Sequence, residues 1–157
     1  MGKYAVSSDN FTSPTGTPDT AISIEVGASE SAEIVEMIMT GSGTAAPADI
    51  SHRAQGFFCD FSTAGTPGSS PTPELMRQGS RIAGAAAAIE YTAEPTAINT
   101  VSPVSFGFNQ RGGMRWAVPR GEGARCQGGL TEDGFLWTVV SNAAGAVDSN
   151  IQWWEDV

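Results

Sequence analysis

The chain has 157 residues, with 17 acidic side chains against 8 basic ones and a single histidine, giving a formal charge of −9. This length suits one domain with a real core, and a 40 % hydrophobic, 8 % aromatic composition excludes wholesale disorder. So acidic a chain lacks the basic footprint that free nucleic acid requires, and no apolar run approaches the roughly 20 residues of a membrane span.

Met1-Gly2-Lys3-Tyr4 is not a charged start followed by an apolar stretch, so no secretion signal is expected. Gly and Pro together supply 28 residues, and short apolar runs alternate with Gly/Pro/Ser/Thr breaks. That pattern predicts an all-β fold, a sandwich or barrel. Residues 8–19 are polar and carry Pro14 and Pro18, and are expected to form a loop or extended arm. Ala21 to Val26 alternates with period two, placing Ile22, Ile24 and Val26 on one pleat and Ser23 and Glu25 on the other. Glu33 to Thr40 also fits helical spacing, but its β-branched residues, short length and Gly41-Ser42-Gly43 stop favour a strand. Gly56 to Phe61 is the next strand, and Ser62 to Thr72, with Pro67 and Pro71, is the longest break. Pro73 to Gln78 is expected to hold one helical turn capped by Thr72. Ala83 to Ile89 mixes helix-forming alanines with Gly84, and its state stays open. Val104–Phe108, Gly113–Val118, Phe135–Val140 and Asn150–Trp154 complete the list. The expectation is a single antiparallel β-sandwich over residues 1–157, jelly-roll-like, with about eight strands.

Chemistry-bearing residues are sparse. Cys59 and Cys126 are too few for a disulfide scaffold and are expected as free thiols from an intracellular folding compartment. His52, beside Arg53 in a polar stretch, reads as an ordinary surface histidine. Gly41-Ser42-Gly43-Thr44-Ala45-Ala46 matches part of a dinucleotide fingerprint, but Pro47 denies it the helix that aims amides at a pyrophosphate; it reads as a strand-end turn. Glu132-Asp133 and Glu155-Asp156 are adjacent carboxylates, which strands send to opposite faces. No spaced oxygen-ligand loop for calcium is present. No enzyme activity, catalytic residue, cofactor or metal is expected. The four tryptophans, Trp116, Trp137, Trp153 and Trp154, suit core or subunit-interface packing. Trp153 and Trp154 alternate faces, so one points to the core and the other to a rim or partner.

Charge is segregated. Residues 77–125 hold six arginines against three glutamates, whereas residues 1–60 sum to −6 and residues 126–157 to −5. An arginine-bearing segment in an acidic chain suits complementary contacts within the fold or between copies.

Two stretches carry a resemblance: Tyr91-Thr92-Ala93-Glu94-Pro95-Thr96, and Phe108-Asn109-Gln110-Arg111-Gly112-Gly113-Met114-Arg115-Trp116-Ala117-Val118-Pro119-Arg120-Gly121-Glu122. Their order, with Pro18 through Met39 and Ala45-Ala46-Pro47-Ala48-Asp49, resembles small structural proteins of tailed bacteriophages, many from marine or cyanobacterial hosts. The likeness covers most of residues 18–125 and weakens after Cys126. It implies a virion protein of the head decoration or cement type, made in the host cytoplasm and placed on the capsid surface. Its implied partners are the major capsid protein and itself, as a homotrimer at threefold points. Asn109, Arg111, Arg115 and Arg120 are the interface candidates, since arginine forks pair with carboxylates; Trp153 and Trp154 join them. The alternative is a receptor- or glycan-binding head-fibre or tail module using exposed tryptophans.

Overall fold

The computed structural model describes residues 2–42, 49–61, 65–76, 83–97 and 100–156, apart from the side chain of Asp156. The described residues form eleven strands: β1 Gly2–Ser13, β2 Asp19–Glu25, β3 Ser31–Ser42, β4 Ser51–Cys59, β5 Glu74–Leu75, β6 Ala86–Ile89, β7 Val104–Asn109, β8 Gly113–Ala117, β9 Ala124–Gln127, β10 Gly134–Ser141 and β11 Gly145–Asp156. Among the described residues no helix is long and apolar enough to cross a membrane.

The pairing order defines the topology. β1 pairs with β11, β2 with β10, β3 with β8 and β4 with β7, all antiparallel. The four long early strands thus find the late strands in reverse order, as in one long hairpin rolled up on itself. Rolling distributes them into two sheets, β1-β11-β3-β8 and β2-β10-β4-β7, which is the jelly-roll arrangement. We call these sheet A and sheet B. β5 extends the β1 edge of sheet A, β6 extends the β2 edge of sheet B, and β9 continues on β3 beyond β8.

Period-two patterning sends Tyr4 and Val6 of β1, Met37 and Met39 of β3, and Val147, Ile151 and Trp153 of β11 inward from sheet A. Ile22 and Ile24 of β2 and Phe135, Trp137 and Val139 of β10 meet them from sheet B. Tyr4 stacks on Trp153 at 6.0 Å, and Phe58 meets Phe135 edge-on at 5.6 Å.

Two sequence expectations need correction. Residues 8–13 are not a loop or arm: they form the end of β1, kept in the ladder by a register shift between Ser8 and Phe11 that returns Phe11 to the core. Asn10, in the left-handed region at φ 58, occupies that shift, and its N–H donates to Asp148 Oδ1 at 2.7 Å. The turn placed at Pro73–Gln78 is no helix where it is described. Glu74 and Leu75 pair with Ala5 and Tyr4, because an open β1 edge offers more hydrogen bonds than one isolated helical turn. Residues 77 and 78 lie outside the described residues, as does most of the 41–46 glycine motif. The open case of Ala83–Ile89 resolves as strand β6 from Ala86 onward.

The two sheets differ in what covers their outer sides. All eight residues of β10 are buried. Its outward Leu136 is sealed because the long excursion between β4 and β7 folds back over sheet B. Tyr91 OH meets Ser23 Oγ at 2.6 Å, and the Thr20 N–H donates to Glu94 Oε2 at 2.9 Å. β11, the central strand of sheet A, instead alternates between core residues and half-buried ones such as Asn150 and Trp154.

Candidate functional site

The open outer face of sheet A is the candidate site, and cross-strand register sets its rows. One row runs Lys3, Trp154, Glu33, Arg125 across β1, β11, β3 and β9. The next runs Ala5, Gln152, Glu36, Ala117, and the third Ser7, Asn150, Ile38, Arg115.

Glu36 sits among the cations. Arg115 Nε donates to Glu36 Oε1 at 2.6 Å, and Lys3 Nζ lies 4.0 Å from Glu36 Oε2. The hydrogen bond and charge of Glu36 push the Arg115 pKa further up. The Arg115 side chain nevertheless stays 66 % exposed. Glu33 is the second organiser. Its buried Oε1 accepts the Gly121 N–H at 2.6 Å and the Gly123 N–H at 2.8 Å, folding the β8–β9 loop down onto the sheet. Both glycines are required there: Gly121 has φ +94, and a Cβ on Gly123 would collide with the Ile34 carbonyl oxygen. The loop so held carries Arg120, whose guanidinium lies 5.5 Å from the centroid of the Trp154 ring.

The structure therefore gathers Arg115, Arg120 and Trp154 on one face. Asn109 and Arg111 stand apart at the β7–β8 tip. There Asn109 Oδ1 accepts the Arg111 N–H at 3.0 Å, and the Arg111 guanidinium reaches Asp49 at 3.7 Å. Trp153 is corrected outright. It is fully buried, stacked on Tyr4, and its indole N–H donates to Glu155 Oε1 at 2.9 Å, so it offers nothing to a partner. Sequence reasoning missed Lys3, Glu33, Glu36 and Arg125 on this face. The only signal for them was their spacing on alternating strands, which needs the register to be read.

Several acids are internal pins rather than surface charge. Buried Glu155 accepts the Gly84 and Ala85 N–H groups and the Trp153 indole N–H, tying the end of β11 to the approach to β6. Asp133 Oδ1 accepts the Phe61 N–H at 2.9 Å. Both thiols are free and fully buried. Burial pushes the Cys126 thiol up to about 12 and Cys59 higher still, so neither is a nucleophile.

His52 is not the surface residue expected. It is 2 % exposed and stacked on Phe108, with Nδ1 2.5 Å from Ser141 Oγ. Ser141 Oγ donates to Ser13 Oγ, and Ser13 Oγ donates to the Gly145 carbonyl. With both hydroxyl protons so committed, His52 Nδ1 is the donor to Ser141. This order leaves Nδ1 without a lone pair to take the Ser141 proton. Burial lowers the His52 pKa, so the unfolded chain takes up a proton first as pH falls. The stability held above about pH 6.5 should drop by up to about 1.4 kcal/mol per pH unit below it, until the folded-state pKa is passed. Urea unfolding of wild type and His52→Gln between about pH 8 and 5 should show this slope only in wild type. Raised carboxylates such as Glu25 and Glu94 act in both proteins and cancel in the difference. Parallel profiles would refute a neutral buried His52.

No family model and no curated protein matches the chain. Among solved structures, the chain is similar at 11 % identity and a TM-score of 0.21 to one described as the structure of infectious bursal disease virus Gx strain. The match covers 98 % of this chain and 40 % of that one, so this chain spans well under two thirds of its length. A TM-score this low does not establish a shared fold.

Proposed function

We propose that this chain is a non-enzymatic virion structural protein that decorates the capsid surface, binds the major capsid protein and assembles as a homotrimer. The observation that carries the reading is a difference between the two sheets: β10 of sheet B is wholly buried and the β2 side of that sheet lies under the chain's own excursion, while β11 of sheet A runs through a polar, arginine-bearing outer face. A face of hydrogen-bonding groups with few exposed large apolar side chains suits a protein that is soluble when free and docks on a lattice through many modest contacts. The resemblance of residues 18–125 to phage structural proteins points the same way, and fold alone would not, because jelly rolls serve many functions. The geometry of His52 and Ser141 supports the non-enzymatic part, since the histidine donates to the serine it would have to deprotonate.

The glycan-binding alternative asks for an aromatic ring with a free face. Trp137 and Trp153 are in the core, Trp116 packs against it, and Trp154 already carries Arg120. Quantitative mass spectrometry of purified particles should find the chain in simple ratio to the major capsid protein. A dozen copies or fewer would favour a vertex or tail role, and absence would end the virion reading. Arg115→Glu and Arg120→Glu should lower particle occupancy about tenfold without unfolding the chain. Unchanged occupancy would remove this face from the contact.

A further inference from the structure

We infer that the outer face of sheet A docks an acidic protein surface, with Lys3, Arg115, Arg120 and Arg125 as its carboxylate-reading residues. The inference rests on the reading of this face as a docking surface, and adds the chemistry of what lands there. Four of the chain's eight cations lie on this one face or fold over it, in a protein carrying −9. Three of the acids among them are already engaged, Glu33 by two loop amides, Glu36 by Lys3 and Arg115, and Asp148 by the Asn10 amide, while Glu122 is exposed on the β8–β9 loop beside Arg120. Glu74 is exposed at the far β5 edge, away from the β8–β9 side where the arginines stand. Glu33, Glu36 and Asp148 thus orient cations and loops rather than compete with an incoming carboxylate.

The guanidinium groups are also preorganised. Arg115 is held through Nε by Glu36, and Arg120 is held over Trp154 by a loop whose amides are bonded to Glu33. A side chain fixed before binding loses less entropy on contact. Between the cations, Ser7, Asn150 and Gln152 are joined by short hydrogen bonds, Asn150 Nδ2 to Ser7 Oγ at 3.0 Å and Gln152 Nε2 to Asn150 Oδ1 at 3.2 Å. This flat polar strip suits a polypeptide.

The test uses the full chain and a hexaglutamate peptide at about 0.01 M salt, where screening extends to about 30 Å. Nuclear magnetic resonance should show shifts at the Trp154 indole N–H and at the Nε–H groups of Arg115, Arg120 and Arg125. Binding should weaken about tenfold in Arg115→Glu/Arg125→Glu and hold in Arg53→Glu, which changes an exposed arginine on sheet B. Retained dispersion of the spectrum certifies each variant's fold. Shifts centred on Arg53 or Arg111, no loss in the double variant, or equally tight binding of duplex DNA would each overturn the inference. Absence of the chain from particles would end the virion reading and leave this peptide result standing, so the two failures are separable.

Discussion

Trp153→Ala should destabilise the fold by about 3–5 kcal/mol, whereas its neighbour change Trp154→Ala should cost about 1 kcal/mol. Trp153 is fully enclosed between the sheets, stacks on Tyr4 and donates to Glu155 Oε1, so truncation opens a cavity and leaves that oxygen with the Ala85 N–H alone of its two donors. Trp154, one residue on, lies half-buried on the outer face with Arg120 over its ring, and its loss removes one cation–π contact. For a chain of this size the first change should lower the melting temperature by roughly 6–20 °C and the second by a few degrees. Thermal unfolding followed by circular dichroism decides it. Equal losses would mean the two rings do not occupy opposite faces of β11. In a docking assay the ranking should reverse among variants that remain folded, with Trp154→Ala impairing partner contact through Arg120.

Glu155→Ala is the second large effect, at about 3 kcal/mol or more. It leaves three donors without this acceptor, two of them buried, the Ala85 N–H and the Trp153 indole N–H, and each buried orphan costs about 1–3 kcal/mol. Two of those donors, the Gly84 and Ala85 amides, are 71 and 70 residues away in sequence, so the damage should appear at a distance. Hydrogen exchange should quicken in β6, which Gly84 and Ala85 precede, more than at the β8 edge. Glu155→Gln should fall between, because the amide keeps one acceptor but turns its own donors toward backbone N–H groups. Glu74→Gln, on an exposed acid, should change stability by less than about 0.5 kcal/mol. Trp153 and Glu155 share a hydrogen bond, so their double variant should be less damaged than the sum of the singles. An additive double variant would mean that bond contributes little.

Much of the fold was legible along the chain. Ile22-Ser23-Ile24-Glu25 reads as a strand because a half-buried pleat demands alternation, and Glu33 to Thr40 reads as one through its β-branched residues; both are strands. The fully buried run Phe135 to Val140 also stood out. β1 beyond residue 7 did not, because its alternation is broken by the shift at Ser8–Phe11 and its residues are mostly polar. β5 and β9 were hidden for another reason. They are two and four residues long, and exist because β1 and β3 offer open edges, a property of neighbours far away in sequence.

The site divides in the same way. Composition and patterning alone determined an all-β chain, an acidic protein with a concentrated arginine segment, free thiols, and a Trp153-Trp154 pair split between two faces. Those properties follow from residue type and a two-residue period, which are local. Only the tertiary structure decided that Trp153 is the inward ring, that His52 is buried as a donor to Ser141, and that Glu155 and Glu33 pin loops from within. It alone brought Lys3, Arg115, Arg120 and Arg125 together. Such facts depend on which strands lie side by side and in what register, and on which sheet the long excursion covers. These are set by closing the jelly roll as a whole, where residue 3 meets residue 154 and residue 33 meets residue 125.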